Sequence, residues 1–299
     1  MTTLAEWLAW KINRLFPALT NHKEQMAAMQ STSANQKWAY QEIQRIVFAF
    51  EPFFDLKNKL VMDIGSGMGG KLPFFIQCGA KKVIGIDVDI NKTIVAHEHI
   101  ITDKHADTIQ ILAADAATLP FANDLFDAII SINTFEHVSN VDLCLKESYR
   151  VLKPGGQAYI FLPPYYSPWG PHLEYWIRFP WPHLLFSEKT LMWVAAKEDD
   201  RININETFID GARINWQIAG DCVPNVNRVT LRKFRQLVKQ VGFETVNLRL
   251  LPPGYRRMNS SKSTLGKTIN HLLTLTTRIP ILQEAIVTKM AYVLQKTKN

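Results

Sequence analysis

The sequence predicts an α/β fold on a mostly parallel sheet with helices on both faces, and three observations predict it. Short β-rich runs alternate with helix-length segments from residue 60 onward. A glycine-rich stretch, DIGSGMGG at residues 63–70, follows the first such run directly. The runs themselves are almost continuously apolar, as strands covered on both faces must be.

Each element can be justified in turn. KLVMDIG reads as a first strand and KLPFFIQCGA, after the glycines, as a helix closing near Gly79. KKVIGID is a second strand, INKTIVAHEHIITD a helix and TIQILAAD a third strand. FDAIISIN is a fourth, followed by the helix VDLCLKESYRVL and a fifth strand in GGQAYIFLPP. Such alternation indicates βαβ units with right-handed crossovers. At Tyr165 the rhythm breaks into a segment rich in Trp, Tyr, Phe and Pro that runs to about Arg228. It resumes with the helix TLRKFRQLVKQVG and the strand FETVNLRLL, and AIVTKMAYVLQK reads as a last strand pairing antiparallel with it. The expected organisation is a helical cap over residues 1–50, a nucleotide-binding core over 51–164 and an aromatic insertion over 165–228. The core ends over 229–299, with a basic helical insertion at 252–284.

Composition narrows the class. Hydrophobic residues make up 47% and charged residues 20%, and the net charge of +7 arises without a polybasic run. The three cysteines, Cys78, Cys144 and Cys222, are too far apart for a disulfide framework or a zinc site. Glu6, Lys11 and Arg14 interrupt the apolar residues of MTTLAEWLAWKINRLFPALT, and no 18-residue apolar run occurs, so a soluble cytoplasmic protein is expected. Trp7, Trp10, Lys11 and Arg14 leave two readings of that first helix, one packed on its own domain and one in peripheral contact with a membrane.

The glycine loop points to a nucleotide. Gly65, Gly67 and Gly69 stand where the chain turns tightly out of the first strand, and Asp87 ends the second, where a carboxylate accepts hydrogen bonds from ribose hydroxyls. With Gly70 the spacing also matches a dinucleotide loop. Asp63 decides between the two, because a carboxylate beside the loop repels a pyrophosphate but tolerates the cationic amino group and sulfonium of S-adenosylmethionine. Asp115, after the third strand, can meet an adenine amine or serve as a loop or cap carboxylate.

VMDIGSGMGG, GIDVD, AADAATLPF, FDAIISINTFEHV and ESYRVLKPGGQAYIFLP occur in this order. Together they resemble the class I S-adenosylmethionine-dependent methyltransferases, in the type 11 or ubiquinone-biosynthesis-like branch. The resemblance covers residues 50–164 and, more loosely, 229–299. It implies a Rossmann-like seven-stranded sheet with the last strand antiparallel, and S-adenosylmethionine as cofactor, leaving S-adenosylhomocysteine as product. It also implies ribose contact by Asp87, adenine contact near Ala114 and Asp115, and methionine-end contact by the loop from Asp63 to Gly69. Val88, Ala116 and Asn133 complete the expected cofactor set. Ser66 stands where family members often have cysteine, a small-for-small exchange.

The acceptor is less legible. Methyl transfer asks the protein to position, desolvate and sometimes deprotonate the acceptor. His137, after the fourth strand, is one candidate base, and His172 and His183 in the insertion are others. Tyr165, Tyr166, Trp169, Tyr175 and Trp176 are the candidate acceptor contacts, in a lid or in a satellite core. His172, Glu174 and His183 match no standard ligand spacing, so no metal is expected. No Lys/Arg stripe interleaves with the aromatics, which disfavours nucleic acid as partner. The leading expectation is methylation of an oxygen on a small hydrophobic molecule in specialised metabolism. The alternatives are a membrane-associated methyltransferase of a lipid, quinone or lipid-linked sugar, and a non-catalytic binding protein. The oligomeric state has no signature in the sequence.

Overall fold

A computed structural model describes residues 2–16, 31–101, 105–168, 176–198, 226–253 and 274–298. Its centre is a seven-stranded sheet in the order β3-β2-β1-β4-β5-β7-β6. The strands are β1 (Leu60–Ile64), β2 (Lys82–Asp87), β3 (Ile109–Ala113), β4 (Phe126–Ile132), β5 (Leu152–Leu162), β6 (Phe243–Leu251) and β7 (Lys289–Lys296). β1 to β5 are mutually parallel, and β7 lies antiparallel between β5 and β6, as the alternation at the end of the chain predicted.

Both faces of the sheet are covered. One carries α5 (Val141–Val151) and α8 (Leu231–Val241), whose Cys144, Leu145, Phe234 and Val238 are buried against Met62, Ile129 and Tyr292. The other carries α2 (Thr32–Ile46), the short α3 (Leu72–Gln77) and α4 (Ile90–Ile100), which bury Ile43, Ile46, Phe75 and Ile100 against Val61, Ile130 and Phe161. Side chains set the helix starts: Asn140 accepts from Leu143 N, Asp89 from Asn91 N and Lys92 N, and Thr230 from Lys233 N. Because every crossover returns to the same end of the parallel strands, the loops after β1, β2, β3 and β4 gather there.

A satellite core joins the first helix to the aromatic insertion. Ala9 of α1 (Leu4–Leu15) packs with Trp176, Ile177 and Phe179 and with Leu191, Met192, Val194 and Ala195 of α7 (Glu188–Glu198). The four-residue α6 (Pro182–Leu185) precedes α7. Asn13 is wholly buried in this contact, donating to Trp176 O at 2.9 Å and accepting from Arg178 N at 2.7 Å. Arg178 in turn is held by Glu198 at 2.6 Å. Residues 254–273 of the predicted basic insertion at 252–284 lie outside the described residues, and α9 (Pro280–Ile286) begins within its described end.

Candidate active site

The loop after β1 is shaped by its backbone. Gly65 N and Ser66 N both donate to Ile86 O at 2.9 Å, tying β1's exit to β2. Gly67 has φ +56 and open space where a side chain would begin, so its backbone faces the cleft bare. Its N–H donates to Asp87 Oδ2 at 2.9 Å, while Asp87 Oδ1 accepts from Asp89 N at 3.0 Å. The carboxylate that ends β2 is thereby aimed across the loop.

Asp63 stands behind that loop. It is wholly buried on β1 and does not reach the cleft surface; Lys71 stands beside it, with its Nζ 3.4 Å from Asp63 Oδ2 and 3.0 Å from Gly65 O. Burial raises the Asp63 carboxyl from its ordinary 3.8 to about 6, against the pull of Lys71 and with a small push from Asp87. Asp63 is thus not among the cleft-lining residues, contrary to the expected methionine-end contact, whereas its partner Lys71 is.

The cleft at the strand ends holds about 600 Å³, within the usual range for small-molecule pockets. It is lined by Gly65, Ser66, Gly67, Asp87, Val88, Ala114, Asp115, Ala116, Asn133 and His137 among the residues expected from sequence. Gly69 lies outside the lining, with α4's Ala96 close by its Cα. Asp115 accepts from Ala117 N at 2.8 Å as a turn carboxylate and also lines the cleft. Asn133 has φ +51, and its Oδ1 accepts from the buried Lys289 of β7 at 3.0 Å.

The insertion contributes differently. Trp176 is a satellite-core residue, 2% exposed, and Tyr165, Tyr166 and His183 do not line the cleft. His183 packs edge-on against Tyr165 with centroids 5.1 Å apart, and burial pushes its imidazole down to about 4. It is therefore neutral at physiological pH. His172, Trp169 and Tyr175 lie outside the described residues, as does Glu174. Of the three histidines proposed as bases, His137 is the one the described structure places at the strand ends.

Two contributions escaped the sequence reading. α2 closes one side of the cleft with Asn35, Trp38, Ala39 and Glu42, and Gln36 Nε2 donates to Met68 O at 2.9 Å in the glycine loop. Gly70 makes this approach feasible, since a Cβ there would sit 2.6 Å from Gln36 Cα and overlap its carbonyl oxygen. Gly70, read from sequence as completing a dinucleotide spacing, was the available signal. The second is Asn227, whose Nδ2 donates to Phe135 O at 2.6 Å and to Val138 O at 2.8 Å. It staples the loop that carries His137, and nothing in the local sequence announces it.

The donor set suits S-adenosylmethionine. Ser66 Oγ is buried without a hydrogen-bond partner beside the bare Gly67 backbone, and Asp87, Asp89 and Asp115 present carboxylates to the cleft. Asp87 would hold the ribose, Ala114 to Ala116 the adenine and the Gly65–Gly67 loop the methionine end.

The chain is similar to known methyltransferases. Residues 62–160 match the methyltransferase domain family. A sterol 4-C-methyltransferase of Caenorhabditis elegans is 32% identical over 35% of this chain and 31% of its own length. A phosphoethanolamine N-methyltransferase of Triticum aestivum is 33% identical over 37% of this chain and 22% of its own. The matched segment thus spans about a third or less of these curated relatives. A ubiquinone/menaquinone biosynthesis C-methyltransferase of Rhizobium rhizogenes is 26% identical over 83% of this chain and 87% of its own. Among solved structures, an S-adenosylmethionine dependent methyltransferase of Mesorhizobium loti superposes with a TM-score of 0.51 at 14% identity, over 89% of this chain and all of its own. The [4+2]-cyclase SpnF superposes at 0.52 and 13% identity, over 97% of each chain, so the fold by itself does not name a reaction. The domain match over residues 62–160, the sheet order and the cleft together support a class I S-adenosylmethionine-dependent methyltransferase domain.

Proposed function

We propose that the protein moves a methyl group from S-adenosylmethionine to an oxygen of a small, hydrophobic acceptor, with His137 as the base. The observation that carries this reading is the position of His137. It lines the cofactor cleft beside Asn133 and Thr134, on a loop fixed by Asn227, with Trp38 of α2 on the cleft wall. An imidazole there can take a hydroxyl proton as the oxygen attacks the methyl carbon, the bond to sulfur breaking as the new one forms. Trp38 supplies a flat apolar surface. Sterol- and quinone-methylating relatives support a greasy acceptor, although their named reactions are C-methylations.

A second reading, a methyltransferase of a lipid or quinone working at a membrane, is favoured by the exposed leucines of α1. The test is to incubate purified protein with methyl-labelled cofactor and a fractionated extract of the source cells. Label in soluble, solvent-extractable small molecules, reduced about 10²-fold or more in His137→Gln, supports the first reading. Label in membrane lipid supports the second. Label in protein or RNA would overturn both.

A further inference from the structure

α1 packs Ala9, Trp10 and Ile12 on the satellite core and still leaves an apolar face outside. Its inward side carries Glu6, Ala9 and Asn13, all buried. Its outward side carries Leu4, Leu8 and Leu15, which are 79%, 44% and 80% exposed. These three recur at helical spacing and form one face. Trp7, 49% exposed, flanks them. Lys11 lies on the same face between Leu8 and Leu15, with its Nζ 5.8 Å from the Trp7 ring and 5.3 Å from the Trp10 ring, and Arg14 lies 5.7 Å from Trp10. Glu6 is the sole carboxylate in residues 2–16, and it is buried in the capping box with Thr3. The exposed surface is therefore leucine, tryptophan and cation, without an anion.

A second exposed apolar pair lies near the end of α1. Leu184 and Leu185 of α6 are 54% and 66% exposed. Phe186, next in the chain, is 5.8 Å from Phe179, which is 6.4 Å from Phe16 at the end of α1.

We propose that this face docks the protein onto an anionic lipid bilayer surface. The leucines and Trp7 would enter the boundary between headgroups and acyl chains, while Lys11 and Arg14 reach back to lipid phosphates. A second copy of the chain is a poor occupant, because a twofold contact would set Lys11 and Arg14 against themselves with no carboxylate between. This inference deepens the membrane reading above and does not rest on which acceptor is methylated. α1 contributes nothing to the cleft lining.

Co-sedimentation of the full chain with vesicles tests the proposal. Wild type should bind mixed phosphatidylglycerol–phosphatidylcholine vesicles and release them at high salt, and should bind pure phosphatidylcholine far more weakly. Lys11→Glu/Arg14→Glu should weaken binding by about 20-fold or more, taking about five-fold per lost cation. Leu4→Ala/Leu8→Ala/Leu15→Ala should abolish it. Cofactor affinity, measured on the same preparations, should be unchanged, and it reports the cleft separately from the docking face. Wild type that ignores anionic vesicles, or variants that bind them as well as wild type does, would overturn the proposal. So would a wild-type dimer that the leucine variant converts to monomer, since a second copy would then cover the face.

Discussion

Asp63→Asn isolates the electrostatic cost of the glycine loop. The wild-type carboxyl is wholly buried, and burial raises it from 3.8 to about 6. That displacement corresponds to about 3 kcal/mol, at 1.36 kcal/mol for each tenfold change in proton affinity. The sign follows from linkage. The folded state holds this proton more tightly than the unfolded chain does, so the stabilisation is complete below pH 4 and is lost as pH rises through 6. Asparagine keeps the shape and does not titrate. The stability of Asp63→Asn minus that of wild type should therefore grow by about 2–2.5 kcal/mol between pH 4 and pH 7, the rest of the change lying below pH 4. The difference cancels the other carboxylates, among them Asp127 and Glu147, which are held below their ordinary range chiefly by hydrogen bonds. Urea unfolding of both proteins at matched pH values reads it directly. A difference that stays flat across that range would refute the argument, because Asp63 would then have an ordinary carboxyl in the folded protein.

Other outcomes follow from the same geometry. Gly70→Ala drives a methyl group into the backbone of α2 and should cost about 1–3 kcal/mol in urea unfolding, with weaker cofactor binding as α2 shifts. Asn227→Ala leaves the Phe135 and Val138 carbonyls without a donor and should cost about 1–3 kcal/mol. Once an acceptor is in hand, it should also lower turnover more than cofactor affinity, because it loosens the loop of His137 and leaves Asp87 untouched.

The parallel strands and the glycine loop were legible because each writes a local signature. Strands buried on both faces need continuous apolar runs such as VMDI and AIISI, and a loop that lets a ligand approach its backbone needs Gly67. Asp87 was legible from its place at the end of β2. The side walls of the cleft were not, since they arise from contacts between distant segments. Gln36 reaches Met68 across 32 positions, and Asn227 reaches Phe135 across 92. Asp63 was recognised as important, yet its burial behind Lys71 depends on a helix turn that only the fold supplies. The aromatic insertion misleads in the same way. Trp176 suggests a lid by composition, but α1 offers it a partner surface around Ala9 and Asn13, and it packs there.

Calorimetric titration with S-adenosylmethionine, on wild type and Asp87→Ala, reads the ribose contact itself. Wild type should bind, and the variant should lose about 100-fold or more in affinity, since two ribose hydroxyls lose a charged acceptor worth about 1.5–3 kcal/mol each. Equal affinity in both proteins, or tight binding of NADH with none of S-adenosylmethionine, would contradict this assignment.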